Sequence, residues 1–208
     1  MGRLFGALAI LLMAMMAPAV LVTGAIGMAT GQGDAGSSSP FVQQLQALGY
    51  ENGYLPDDVL AVVSTRPGHD CRLSTVGSAN QAWVALVDAA RLDGVVVEGG
   101  WCYRTYESQV AAWTRRRCHI PGNCDGDPFP PTARPGTSLH GWGLAIDVWD
   151  GTRSLLRCSS PELVWLHLFA PRFGWVNPEW AGCGQNGAEP WHWEYVGTDL
   201  EPVSGDGS

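Results

Sequence analysis

The chain has 208 residues, 46% of them hydrophobic, which suits one domain with an N-terminal appendage and leaves enough apolar material for a core. Its 20 acids against 12 bases give a net charge of −8, which argues against nucleic acid as a partner. All twelve bases are arginine, so a lysine Schiff base, a phosphate-loop lysine and a Ser–Lys dyad are excluded, and no G-x-S-x-G elbow is present.

Residues 4–33 carry no charge, and Arg3 is the one positive side chain before them. Leu4–Ala29 would span roughly 39 Å as a helix against a membrane core of about 30 Å. Ala17-Pro-Ala19 and Gly27-Met-Ala29 are small-x-small cleavage patterns, while the length favours a retained anchor. Residues 1–30 therefore read as a signal peptide or a membrane anchor, and either one exports the rest. Residues 31–40, rich in Gly and Ser, read as a tether, 41–200 as the folded domain and 201–208 as a flexible tail.

Within the domain, Phe41–Leu48 has helical spacing, and residues 52–64 hold a turn and a short apolar stretch. Ala79, Ala82, Trp83, Leu86, Val87 and Ala90 form a helical stripe that Asp93-Gly94 ends. Val95-Val-Val97 predicts a buried strand leading into Gly99-Gly100, and a second helix starts near Tyr106. From Cys118 to Pro135 the composition turns to Pro, Gly, Asn and Asp, a long loop of the kind that often carries function. Arg115-Arg116-Arg117, just before it, reads as a solvated helix end. Gly143–Trp149 alternates like a strand, and Pro161–Ala170 is helical with Leu163, Leu166 and Leu168 apolar. Trp191–Val196 is a further strand, with Trp191, Trp193 and Tyr195 on one face and His192, Glu194 and Val196 on the other. Helices and strands interspersed with long loops make the fold class α+β.

Six cysteines stand at 71, 102, 118, 124, 158 and 183 with no C-x-x-C pair, so a zinc ribbon is a poor reading. An even count behind an export segment implies three disulfides in an oxidising compartment. The short loop between Cys118 and Cys124 makes that pair the natural one. Cys71–Cys102 with Cys158–Cys183 is one choice among those the other four leave open.

Two separated blocks carry the chemistry: Ser138-Leu-His140-Gly-Trp-Gly143-Leu-Ala145-Ile-Asp147 and Glu189-Pro-Trp-His192-Trp-Glu-Tyr195. Two histidines and a carboxylate would hold a tetrahedral zinc and leave one position for water. Taken singly, His140 is an ordinary loop histidine and His192 a satisfied core one. Asp147, ionisable inside an apolar run, is harder to dismiss, because a buried carboxylate wants a cation. Pro190 interrupts strand pairing, which puts Glu189 at the mouth of the last strand, facing a cleft where a base can take the proton of a water. Glu194 competes for that role, since it shares a face with His192. A third block, Tyr103-Arg104-Thr105-Tyr106-Glu107-Ser108-Gln109, supplies a fixed cation.

The blocks together resemble the VanY-type zinc D-alanyl-D-alanine carboxypeptidases of the LAS (M15) peptidase family, over about residues 52–197. The resemblance implies a small antiparallel sheet flanked by helices, as in the hedgehog/DD-peptidase-like zinc peptidase fold. It assigns His140, Asp147 and His192 to Zn2+, Glu189 to the general base and Arg104 to the oxyanion. Ser138, Gln109 and Trp191 would contact substrate. The expected reaction is removal of the terminal D-alanine from peptidoglycan stem peptides by a monomer outside the cytoplasm, with the membrane reached only through the N-terminal segment. An endopeptidase and a zinc-stabilised wall-binding module are the rival readings. Two departures stand out: Glu194 where an arginine is usual, and Cys102 where a glycine is common.

Overall fold

The structure, a computed structural model, describes residues 39–66, 69–127 and 130–197. The leader or anchor of 1–30, most of the 31–40 tether and the 201–208 tail lie outside those residues. Among the described residues no helix is long and apolar enough to cross a membrane.

Proline at the first helical position presets the backbone of Pro40–Ala47 (α1), so this helix opens at the end of the expected tether. Ala79–Leu92 (α2) follows its stripe: Ala79, Trp83, Leu86 and Ala90 are buried, with Ala82 and Val87 packed beside them. Tyr106–Arg115 (α3) begins where Thr105 Oγ1 accepts the Ser108 N–H at 3.2 Å, an N-cap. Pro161–Phe169 (α4) buries Leu163, Trp165 and Leu166, whereas Leu168, expected on the apolar face, is 64% exposed. The indole of Trp165 turns inward instead and donates to Asp93 at the end of α2, at 2.8 Å.

Two antiparallel sheets form. Leu60–Arg66 (β1) and His69–Ser74 (β2) make a hairpin that the sequence reading does not contain. The register slips between Val62 and Ser64, a bulge that breaks two-residue alternation, and β2 carries His69, Asp70 and Arg72, so no apolar period marks it. The second sheet has the order β3-β4-β6-β5, from Val97–Trp101 (β3), Ala145–Asp150 (β4), Trp175–Val176 (β5) and His192–Tyr195 (β6). Of the expected strand Val95–Val97, only Val97 belongs to β3, which continues through two glycines. A Cβ on Gly99 would lie 2.6 Å from Cys71 Sγ, and one on Gly100 would collide with the Trp149 indole, so the strand needs glycine where neighbours press against its backbone.

α2 packs against the β1–β2 hairpin and against β3, and its Trp83 meets Trp175 of β5 edge to face at a centroid distance of 5.6 Å. β4 is buried along nearly its whole length, so a charged residue at its centre must be matched by its neighbours. Disulfides join Cys71 to Cys102, Cys118 to Cys124 and Cys158 to Cys183. The first links β2 to the residue following β3. The second closes the start of the long loop, and the third holds the segment before Glu189 to the approach of α4.

Candidate active site

Asp147 sits mid-way along β4, and the antiparallel register puts His192 of β6 directly opposite it. Cross-strand partners on one face lie close enough to interact, so the two side chains meet because the ladder pairs them. Asp147 Oδ1 is 3.2 Å from His192 Nδ1. His140 arrives from a different kind of element, the 3-10 turn Leu139–Trp142. Ser138 caps that turn through its hydroxyl, which accepts the His140 N–H at 3.2 Å, and Gly143 closes it in the left-handed region at φ 63°. Gly141 serves the turn differently: a Cβ there would collide with the Asn52 side chain, whose amide donates to the Ser138 carbonyl at 2.8 Å. The turn places His140 Nε2 3.3 Å from the same Asp147 oxygen.

The other nitrogen of each imidazole is taken. His140 Nδ1 lies 2.8 Å from the Cys102 carbonyl, and His192 Nε2 lies 3.1 Å from Glu194 Oε1. Both second nitrogens face an oxygen acceptor and so act as donors, which leaves His140 Nε2 and His192 Nδ1 as the nitrogens that would turn to a metal beside Asp147. Ligand atoms of His140, Asp147 and His192 all lie within 4.8 Å of one another, and all three residues are buried. This donor set fits a metal ion.

The electrostatics match a centre built for positive charge. Burial pushes His140 below its ordinary pKa. Burial also works against charge on His192, yet the hydrogen bonds it donates to Asp147 and Glu194 outweigh it and push that group up to about 10. Burial would raise Asp147, but His140 and His192 hold its carboxyl well below the usual carboxylate range. A proton between His192 and Asp147 thus occupies the place a cation would take, and a metal would displace it.

Around this cluster runs a groove of about 1110 Å³, beyond the roughly 300–1,000 Å³ of small-molecule sites. Arg104, Ser138, Glu189 and Trp191 line it with the three clustered residues. Glu189 is half-buried at the turn into β6, its N–H bonded to the Ala181 carbonyl at 2.9 Å. Burial raises its pKa, His192 and Arg104 offset this in part, and Asp147 adds to the rise. Arg104 lies 3.9 Å from Asp147 Oδ2, and its backbone N–H donates to the His140 carbonyl at 3.0 Å.

Gln109, expected to contact substrate, stands behind the groove. It is 3% exposed and forms no part of the groove wall. Its Oε1 accepts from Arg104 at 2.9 Å, while Nε2 donates to Thr132 Oγ1 at 3.0 Å and to the Ala133 carbonyl at 2.6 Å. With both N–H donors spent on the loop and its oxygen on Arg104, it steadies Arg104 and the far end of the long loop.

The sequence reading misses several contributors. The β1–β2 hairpin supplies a wall through Val62, Asp70 and Arg72, and Asp57, in the turn before β1, and Trp180 supply other parts. Asn177 Nδ2 donates to the His192 carbonyl at 2.7 Å and steadies the turn behind Glu189. Arg115 and Arg116, read as a solvated helix end, are exposed but line the groove, and Arg116 is near enough to draw the Glu189 pKa down. None of these shows in a local pattern, because each depends on chain segments far apart in sequence.

Residues 74–198 match the family model described as VanY: D-alanyl-D-alanine carboxypeptidase. That segment is more than half of the chain and contains the whole cluster with Arg104 and Glu189, so the chain belongs to this family of peptidoglycan peptidases. Among solved structures, VanYB in complex with D-alanine-D-alanine is similar at 27% identity with a TM-score of 0.51, over 66% of this chain and 77% of that one. The LD-carboxypeptidase LdcB shares the fold at 19% identity and a TM-score of 0.55, over 71% of this chain and 72% of that one. So does the vancomycin resistance D,D-dipeptidase VanXYg in complex with a D-Ala-D-Ala phosphinate analog, at 20% identity and a TM-score of 0.51, over 72% and 60%. No curated protein sequence matches the chain.

Proposed function

We propose that the protein is a zinc-dependent D,D-carboxypeptidase that removes the terminal D-alanine of peptidoglycan stem peptides. The observation that carries this reading is the convergence of His140 Nε2, Asp147 and His192 Nδ1 at the floor of a groove flanked by Glu189 and Arg104. The nitrogen–oxygen separations of 3.2 and 3.3 Å support zinc, because a tetrahedral ion with bonds of about 2.0–2.1 Å holds its ligands about 3.3 Å apart. Zinc, when bound, supplies Lewis acidity and lowers the pKa of water from about 16 toward about 7.

The chain's own residues do the rest. Glu189, raised in pKa by burial, takes a proton from the attacking water and returns it to the amine as the peptide C–N bond breaks. Arg104 cannot lose its proton, so it faces the scissile carbonyl as a permanent cation and opposes the charge that develops on oxygen. Ser138 still has a hydroxyl hydrogen to donate to the terminal residue, and Trp191 offers an apolar surface beside it. The solved complex of VanYB with D-alanine-D-alanine supports that substrate class.

The three disulfides fit an extracytoplasmic setting. The proposal includes export by residues 1–30 as a cleaved signal or retained anchor, a tether over 31–40, and a monomeric domain over 41–200 followed by a tail.

The test is to incubate the exported part with a muramyl pentapeptide ending in D-Ala-D-Ala and weigh the products. Loss of one alanine is expected. Amidating the terminus should slow cleavage at least about tenfold, the factor carried by 1.4 kcal/mol, because a carboxypeptidase site loses the charge it recognises. Equal rates on the two peptides, or cleavage at an internal bond, would assign the chain to the endopeptidases.

A further inference from the structure

A buried carboxylate that contributes no ligand stands beside the centre. Glu194 lies on β6 two residues after His192 and is 8% exposed. Its backbone is fixed from both sides, paired with Ala145 of β4 and with Val176 of β5. Its carboxylate oxygen meets His192 Nε2 at 3.1 Å, and among the described residues no arginine pairs with it. The cluster of convergent ligand atoms does not include it.

We infer that Glu194 is a positioning residue, which fixes the tautomer and ring orientation of His192 so that Nδ1 turns to the metal. The inference rests on the metal-centre reading given above. An imidazole carries its two nitrogens on separate edges of the ring, so an acceptor on Nε2 commits Nδ1 to the lone pair. Without that acceptor the ring is free to turn or to place its hydrogen on Nδ1, and either change removes a ligand. Glu194 also lines the groove, but its carboxylate is engaged by His192 Nε2, the nitrogen that does not face Asp147, which favours a partner of His192 over the base.

His140 solves the same problem with a backbone acceptor, the Cys102 carbonyl, held in place by the disulfide to Cys71. A carboxylate at 194 also raises the basicity of His192 as a ligand.

The test uses Zn2+ alone, titrated into the metal-free full chain against a chelator of known affinity, with the thermal midpoint of the metal-free protein measured in parallel. Glu194→Ala should weaken zinc binding by about 10- to 100-fold, the range typical of such outer contacts, while the metal-free midpoint stays near the native value. Glu194→Gln keeps an acceptor at the same reach and should recover most of that loss. If the alanine variant fails to fold, Glu194→Asp, which keeps the charge but loses the reach, replaces it and should show the same weakening. Native zinc affinity in Glu194→Ala, or Glu194→Gln binding no better than alanine, overturns the inference. A native chain that takes up no zinc overturns the metal reading itself, and the positioning role with it.

Discussion

The site has two halves that are held in different ways. Asp147 and His192 stand opposite each other on paired strands, where the ladder that builds the sheet also sets their separation. His140, Arg104 and Glu189 stand on turns, and each needs ties of its own. Asn52 and the Ser138 hydroxyl hold the turn of His140, Gln109 holds Arg104, and Asn177 steadies the bend between Glu189 and His192. Precision from a sheet comes with the fold, whereas precision from turns is assembled from side-chain hydrogen bonds and a disulfide. Damage to the two halves should therefore differ in kind.

The largest effect should come from the strand half. Asp147→Ala removes the oxygen that both histidines face, and zinc content by metal analysis should fall far below one equivalent, with turnover at background. Zinc uptake equal to the native chain would show that the ladder does not set the centre.

Glu189→Ala in the turn half should leave zinc bound and lower kcat by about a hundred- to ten-thousand-fold, the usual contribution of general-base catalysis. Because burial raises the Glu189 pKa, the native rate should fall on acidification at a pH above the ordinary glutamate range, where the base gains its proton. A pH–rate profile checks this, and an acid limb that persists unchanged in Glu189→Ala would assign it to another group. Glu194→Ala should cost less turnover than Glu189→Ala once zinc is saturating.

A double replacement of Cys71 and Cys102 by serine tests whether the turn half leans on its disulfide. Opening a loop of sequence separation 31 should cost about 2–4 kcal/mol of stability, read by denaturant unfolding. Zinc affinity should fall about tenfold as the Cys102 carbonyl loosens behind His140. The smallest effect belongs to Asn52→Ala, which removes one hydrogen bond to the Ser138 carbonyl. It should cost about 1 kcal/mol in thermal stability and a few-fold in turnover.

Legibility in the sequence divides along similar lines. α2 follows from its apolar period and the Asp93-Gly94 that ends it, β4 and β6 are legible as strands although both are buried on both faces and not on alternate residues, and the residues that converge on the groove stand in short blocks whose chemistry makes sense only jointly. The β1–β2 hairpin escapes because its bulge breaks alternation and polar residues crowd β2. β5 has two residues, too few to carry a period. Glu194 is visible on the face of His192, but the choice between base and partner turns on which nitrogen it meets. Gln109 sits in a block that points to substrate, and only the tertiary structure spends its amide on Arg104 and the loop at 132–133. Arg115 and Arg116 are read from their own helix alone, while the groove they border is formed by residues far along the chain.

The account stands or falls on metal and turnover rising together. Purified protein stripped with a chelator and titrated with Zn2+ should regain D-Ala-D-Ala cleavage in proportion to zinc bound, with full activity at one equivalent. Metal-free protein that cleaves at the full rate would contradict it.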